Sequence, residues 1–185
     1  LAATGGRLLG EPTVDAFSDF CYDSRIVEPG QLFVAVVTEK GDGHDYIAAA
    51  CRAGATGILC QRPPDTPLPA TWILVNDTQQ ALLDYAWFIL RARGIIVIGV
   101  TGRVGKTSTK EALAAVLGER DPVFRIHGNY HGRFGLPISL GRLDEAARIA
   151  VLEMACDGLD EIRVLAEVTQ PLFGVVSQVS HSHSQ

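Results

Sequence analysis

A lysine and two hydroxyls, Lys106, Thr107 and Ser108, follow a pair of glycines in the stretch VIGVTGRVGKTSTK, residues 97–110. An apolar run before the glycines reads as a buried strand, and KEALAAVLGER after them reads as a helix. Strand, glycine loop and helix are the context in which backbone N–H groups curl round phosphate oxygens. The helix start adds partial positive charge. In that frame Lys106 reaches the terminal phosphates of a nucleotide, and the Thr107 hydroxyl meets a magnesium ion. Val100 stands where the longer form of this loop carries its first glycine, so the spacing is that of the shorter form, T-G-x-x-G-K-T.

Glu153 is the second chemical residue. It is the one acid in the apolar run IAVLEMA, residues 149–155. A carboxylate among apolar neighbours is costly unless it is paired or holds a cation. On a strand beside a phosphate loop it suits magnesium, which takes few protein ligands and keeps its waters. His181 and His183 form an H-x-H pair near the end of the sequence; two histidines without a third ligand do not make a zinc site. The triplet Asp23-Ser24-Arg25 combines an acceptor, a hydroxyl and a planar guanidinium, a set suited to a polar ring or a phosphate and equally to a stapled turn. GDGHD, residues 41–45, reads as a turn with Asp45 as the helix cap, and Asn129 lies in a glycine-flanked loop. No Ser-His-Asp or Cys-His arrangement is readable.

The elements that must position these residues alternate. QLFVAVV (residues 31–37), TGILC (56–60) and TWILV (71–75) read as strands. DYIAAACRAGA (45–55) and QQALLDYAWFILRARG (79–94) read as helices, each closed by glycine. The proline-dense RPPDTPLPAT (62–71) must be loop. The second half supplies strands at 95–100, 123–126, 149–155 and 173–179, with helices after the glycine loop, at LPISLGRL and at 159–169. Such alternation predicts an α/β protein with parallel sheets, a small domain over residues 1–92 and a second over 93–185. Ligands of such sheets sit beyond the carboxyl ends of the strands, where Gly102, Glu153 and His183 fall.

The bulk numbers narrow the partners. A net charge of -5 and a pI near 5.5 offer no basic field for nucleic acid or an anionic membrane. IIVIGV and WFIL are too short to span a bilayer. The four cysteines make no C-x-x-C pair or metal spacing and read as buried thiols of a reducing cytoplasm. The chain starts without methionine and stops just after a strand, so it is expected to be cut at both ends.

Five segments occur in one order: DSRIVEPGQLFVAV, DGHDYIAAACRAGA, GVTGRVGKTSTKEALAAVL, GNYHGRFGLPISL and VLEMACDGLDEI. In that order the chain resembles the Mur ligases over nearly its whole length. The T-S-T-K-E continuation and the strand ending L-E-M favour the branch that handles D-alanyl-D-alanine.

The resemblance implies a small N-terminal α/β domain for a UDP-sugar, followed by an incomplete phosphate-loop parallel-sheet ATPase domain, with a C-terminal domain absent. It implies a carbon–nitrogen ligase of peptidoglycan precursor synthesis. ATP would phosphorylate the terminal carboxylate of a UDP-N-acetylmuramoyl tripeptide, and the D-alanyl-D-alanine amine would attack the acyl phosphate. Thr101, Gly102, Arg103, Val104, Gly105, Lys106, Thr107 and Ser108 would hold ATP. Thr107, Glu153 and His183 would serve magnesium, and Lys106, Glu153 and His183 would be the catalytic set. Asp23, Ser24, Arg25 and His44 would receive the UDP-sugar, and Asn129 the rest of the substrate. A cytoplasmic monomer, inactive in ligation by itself, is expected. The chain departs from the family pattern at Arg103, His131, Gly132, Ala155, Gln178 and His181. A Mur-type ligase with another amine, or a non-catalytic nucleotide- or UDP-sugar-binding relative, are the alternatives.

Overall fold

Short apolar runs bounded by turn residues build two main sheets. The computed structural model describes residues 1–39, 41–63, 68–126, 130, 132–155 and 160–179. The chain divides into two units, Leu1–Tyr85 and Ala86–Gln185.

In the first unit the strands are β1 (Arg7–Leu9), β2 (Phe20–Cys21), β3 (Leu32–Val34), β4 (Val37–Thr38), β5 (Gly41–Asp42), β6 (Gly57–Cys60) and β7 (Thr71–Leu74). The helix α1 (Ile47–Ala53) joins β5 to β6, and α2 (Thr78–Ala92) contains the division between the units. Five strands lie in the order β1-β7-β6-β3-β2, with β1 antiparallel to β7 and the other pairs parallel. β6 is buried along its whole length, as expected of a central parallel strand covered on both faces. Phe33, Ile58, Cys60 and Trp72 pack with Ile47 and Ala50 of α1 to form the core. Two local expectations change here. The strand expected over 31–37 ends at Val34, because Val36 turns into the β4–β5 hairpin and its carbonyl accepts from Gly43 N–H at 2.7 Å. The turn before α1 is capped by Asp42 rather than Asp45: the Asp42 carboxylate accepts from His44 N–H at 2.9 Å.

The second unit contains β8 (Ile96–Thr101), α3 (Lys106–Gly118), β9 (Val123–Arg125), α4 (Gly135–Ser139), β10 (Ile149–Glu153), α5 (Glu161–Thr169) and β11 (Phe173–Val176). Its four strands lie in the order β11-β8-β10-β9, all parallel. Parallel neighbours need crossovers, and α3 supplies the first, packing on β8, β9 and β10. Val100, Ala150, Val151 and Leu152 are fully buried between the sheet faces. Register decides the rest: Glu153 pairs with Val100, and Val176 with Thr101. The carboxyl ends of β8, β10 and β11 therefore meet at one rim. Among the described residues no helix is long and apolar enough to cross a membrane.

Candidate functional site

At this rim β8 gives way to a four-residue turn, Gly102 to Gly105, which leads into α3. Both glycines are required by geometry. Gly102 has φ +134°, and a Cβ there would stand 2.3 Å from Ser177 Oγ and 2.9 Å from the Gln178 backbone nitrogen. Gly105, the residue capping α3, has φ +85° and supplies no side-chain cap. The first N–H groups of α3, like those of any helix, have no intrahelical acceptor, and they follow the exposed Arg103, Val104 and Gly105.

The segment after β11 braces the turn. Arg103 N–H donates to Gln178 O at 2.8 Å, Ser177 N–H to Thr101 O at 2.9 Å, and the Ser177 hydroxyl to Val104 O at 2.7 Å. On the other flank the Thr101 hydroxyl donates to Met154 O at 2.9 Å, locking the ends of β8 and β10 together. Lys106 folds over the turn, its ammonium donating to Gly102 O at 2.8 Å.

The register of β10 beside β8 brings Glu153 under the first turn of α3. The Thr107 hydroxyl donates to that carboxylate, 2.9 Å from Oε2 and 3.2 Å from Oε1. Glu153 is only 6 % exposed. Lys110, one turn further along α3, is 2 % exposed and lies 4.0 Å from Glu153 Oε2. The Thr107 hydroxyl and the buried Glu153 carboxylate are hard oxygen donors side by side, next to an anion cradle made by Lys106 and the N-terminus of α3. That set fits magnesium carried by a polyphosphate. Among the described residues no group of three or more His, Cys, Asp or Glu gathers to hold a metal in another way.

The structure thus brings together Thr101 through Ser108 and Glu153. His183, His181, Asn129 and His131 lie outside the described residues. Asp23, Ser24 and Arg25 form a turn after β2 in the first unit. The Asp23 carboxylate accepts from Arg25 Nε at 2.8 Å, from its terminal nitrogen at 2.6 Å and from its backbone N–H at 3.0 Å. These bonds, the guanidinium first, hold the Asp23 carboxyl down at about 2. The Arg25 side chain is 85 % exposed, so one face of the ion pair stays open to a ligand. His44, the other residue expected to receive the UDP-sugar, lies in the turn between β5 and α1. Its side chain is buried, Nδ1 lies 2.6 Å from Asp42 Oδ1, and Nε2 accepts from Gln61 N–H at 2.9 Å. With Nε2 accepting, the proton sits on Nδ1, and the ring staples the hairpin to the end of β6. Asp42 also pairs with Arg62 at 2.6 Å; that guanidinium, then the His44 N–H, keep its carboxyl below the usual carboxylate range.

Two contributors escaped the sequence reading. Ser177 carries no motif of its own and matters only because β11 pairs with β8. Lys110 stands three residues after Thr107, a helical spacing that puts both on one face and was the available signal.

The Mur ligase middle domain matches residues 100–185, and the Mur ligase family, catalytic domain, matches residues 20–86. The chain belongs to the Mur ligase family. Among curated Mur ligases it is 38 % identical over 164 residues to the UDP-N-acetylmuramoyl-tripeptide–D-alanyl-D-alanine ligase of Bacillus subtilis, covering 88 % of this chain and 36 % of that protein. It is 34 % identical over 179 residues to the ligase of the same name from Escherichia coli, covering 96 % and 38 %. A crystal structure of the Mur ligase MurF from Acinetobacter baumannii superposes with a TM-score of 0.88 at 27 % identity, covering 98 % of this chain and 40 % of that one. The MurF ligase from Thermotoga maritima in complex with ADP superposes with a TM-score of 0.70 at 35 % identity, covering 83 % and 35 %. The α/β fold with its parallel sheet is therefore that of the Mur ligases. The chain spans little more than a third of the length of the curated relatives it matches (36 % and 38 %).

Proposed function

We propose that this chain supplies the nucleotide site and the UDP-sugar domain of an ATP-dependent ligase. That ligase joins D-alanyl-D-alanine to a UDP-N-acetylmuramoyl tripeptide in the cytoplasm. The observation that carries the reading is the Thr107–Glu153 pair beneath the Gly102–Gly105 turn, with Lys106 beside it. In this reading residues 93–185 bind ATP. Residues 1–92 receive the UDP-sugar, with the exposed face of the Asp23–Arg25 pair and Ser24 as polar contacts. Asn129 and His183 keep their expected roles toward substrate and metal.

Thr107 and Glu153 would hold magnesium, which when bound neutralises phosphate charge. Lys106 exchanges its bond to Gly102 O for a phosphate oxygen and counters the charge that builds during transfer. The terminal phosphoryl group of ATP passes to the tripeptide carboxylate, releasing ADP. The dipeptide amine then attacks the acyl carbon, and phosphate leaves as the amide forms. The turn and the Thr107–Glu153 pair contribute position and charge, not a nucleophile. The similarity to D-alanyl-D-alanine ligases and the ADP held by the Thermotoga maritima structure support this assignment.

A chimera tests it. This chain replaces the matched segment of the Bacillus subtilis relative, and ligation product is followed by mass spectrometry with ATP, magnesium, UDP-linked tripeptide and D-alanyl-D-alanine. Product that requires D-alanyl-D-alanine and vanishes on Lys106→Ala is expected. A folded chimera that binds nucleotide but makes no product, or makes it only with another amine, would contradict the assignment.

A further inference from the structure

We propose that Lys110 is a positioning residue for Glu153. Its buried ammonium fixes the carboxylate in the place from which Glu153 serves the magnesium that accompanies the nucleotide. The proposal rests on the reading of Glu153 as a magnesium carboxylate and adds a residue to that site.

The placement follows from helix geometry. Thr107 and Lys110 are three apart on α3, so both side chains descend on the face packed against β10. Lys110 is 2 % exposed, a rare state for lysine outside a network that compensates its charge. The ammonium has three donors. One goes to Ile126 O at 2.6 Å, at the exit of β9. A second lies 3.2 Å from Glu111 Oε1. The remaining side of the ammonium faces Glu153 Oε2 at 4.0 Å.

Glu111 is itself 43 % exposed and shared with Arg125, whose Nε lies 3.2 Å from its other oxygen. It therefore answers only part of the Lys110 charge. The buried partner for the rest is Glu153. Oε2 of Glu153 thus sits between two groups from one helix face, the Thr107 hydroxyl and the Lys110 ammonium. Among the described residues Oε1 has only the longer 3.2 Å contact to Thr107. A carboxylate with one oxygen hydrogen-bonded and facing an ammonium is biased toward one orientation, with its other oxygen less engaged. Lys110 also ties this carboxylate to the backbone leaving β9, so the adjacent strands β9 and β10, both packed against α3, share the anchor.

A lysine that only filled the interior would affect nucleotide binding equally with and without metal. A positioning lysine changes the metal-dependent part alone, because buried Lys110 is not among the residues of the phosphate turn. Calorimetry of ADP binding to the chain, in EDTA and in excess magnesium, separates the two. The wild type binds ADP more tightly with magnesium, and Glu153→Gln removes the enhancement. Lys110→Met is expected to reduce the enhancement about tenfold, the usual scale for groups that orient a metal ligand, with affinity in EDTA unchanged. Lys110→Gln, which keeps a donor for Ile126 O and loses the charge, is expected to do the same.

Full enhancement in either variant, or equal losses with and without magnesium, overturns the proposal. Failure of both variants to fold also overturns it, since the role of Lys110 would then be that of the fold. If the wild type shows no enhancement, or Glu153→Gln keeps it, the magnesium reading itself falls and this proposal with it.

Discussion

The Thr107 hydroxyl rests on the Glu153 carboxylate, 2.9 Å from one oxygen and 3.2 Å from the other, across residues 46 positions apart in sequence. Neither partner could reach the other without the parallel register of β10 beside β8, which sets Glu153 opposite Val100. Glu153 is buried, so the hydroxyl is one of the few groups compensating its charge.

Thr107→Val tests that dependence. The variant keeps the side-chain shape and removes the donor, leaving a buried carboxylate under-satisfied. A loss of about 1–3 kcal/mol in unfolding free energy is expected, measured by urea denaturation, with Thr107→Ser close to wild type. A Thr107→Val protein as stable as wild type would show that Glu153 does not need this bond.

Gly102→Ala probes the turn. A Cβ at φ +134° would lie 2.3 Å from Ser177 Oγ and 2.9 Å from the Gln178 nitrogen. Backbone at Gln178 cannot swing aside as a side-chain tip can. The strain, about 1–3 kcal/mol, should appear as lower thermal stability and as weaker ADP binding with or without magnesium. Unchanged affinity for ADP would remove this turn from the phosphate site.

Much of this site was legible before any fold. The glycines, Lys106 and Thr107 announce themselves through local spacing, since strand, turn and helix follow one another in the chain. Glu153 was legible for a different reason, as a lone charge in an apolar run. What the sequence hid depends on tertiary register. Ser177 braces Val104 only because β11 adds to β8. Asp42 displaces Asp45 as the cap because a 3₁₀ turn, Gly43–Tyr46, precedes α1 and moves the first orphan N–H groups upstream. The same turn holds the His44 ring between Asp42 and Gln61, contacts that no local spacing announces. The strands β1 and β2 were missed because three and two residues carry too little alternation to read.

The Asp23–Arg25 pair makes a prediction in pH. The Asp23 carboxyl is held at about 2, against an ordinary 3.8. A depressed carboxyl stabilises the fold above its unfolded value and loses that contribution as pH falls from about 4 through about 2. Exposure and salt screening keep the effect on global stability small. The titration itself is the readout: carboxyl resonances followed by NMR should place Asp23 near 2, and Arg25→Ala should move it up toward 3.8. An Asp23 that titrates at its ordinary value in the wild type would dissolve the pair in solution.

The central claim is that phosphate sits on the Gly102–Gly105 turn under the hand of Lys106. Titration of the chain with magnesium-ADP by calorimetry, wild type against Lys106→Ala, measures it directly. Saturable binding that weakens by about 1.5–3 kcal/mol on loss of the charge-assisted contact is the predicted result. Binding that is absent in the folded wild type, or identical in the two proteins, would contradict it.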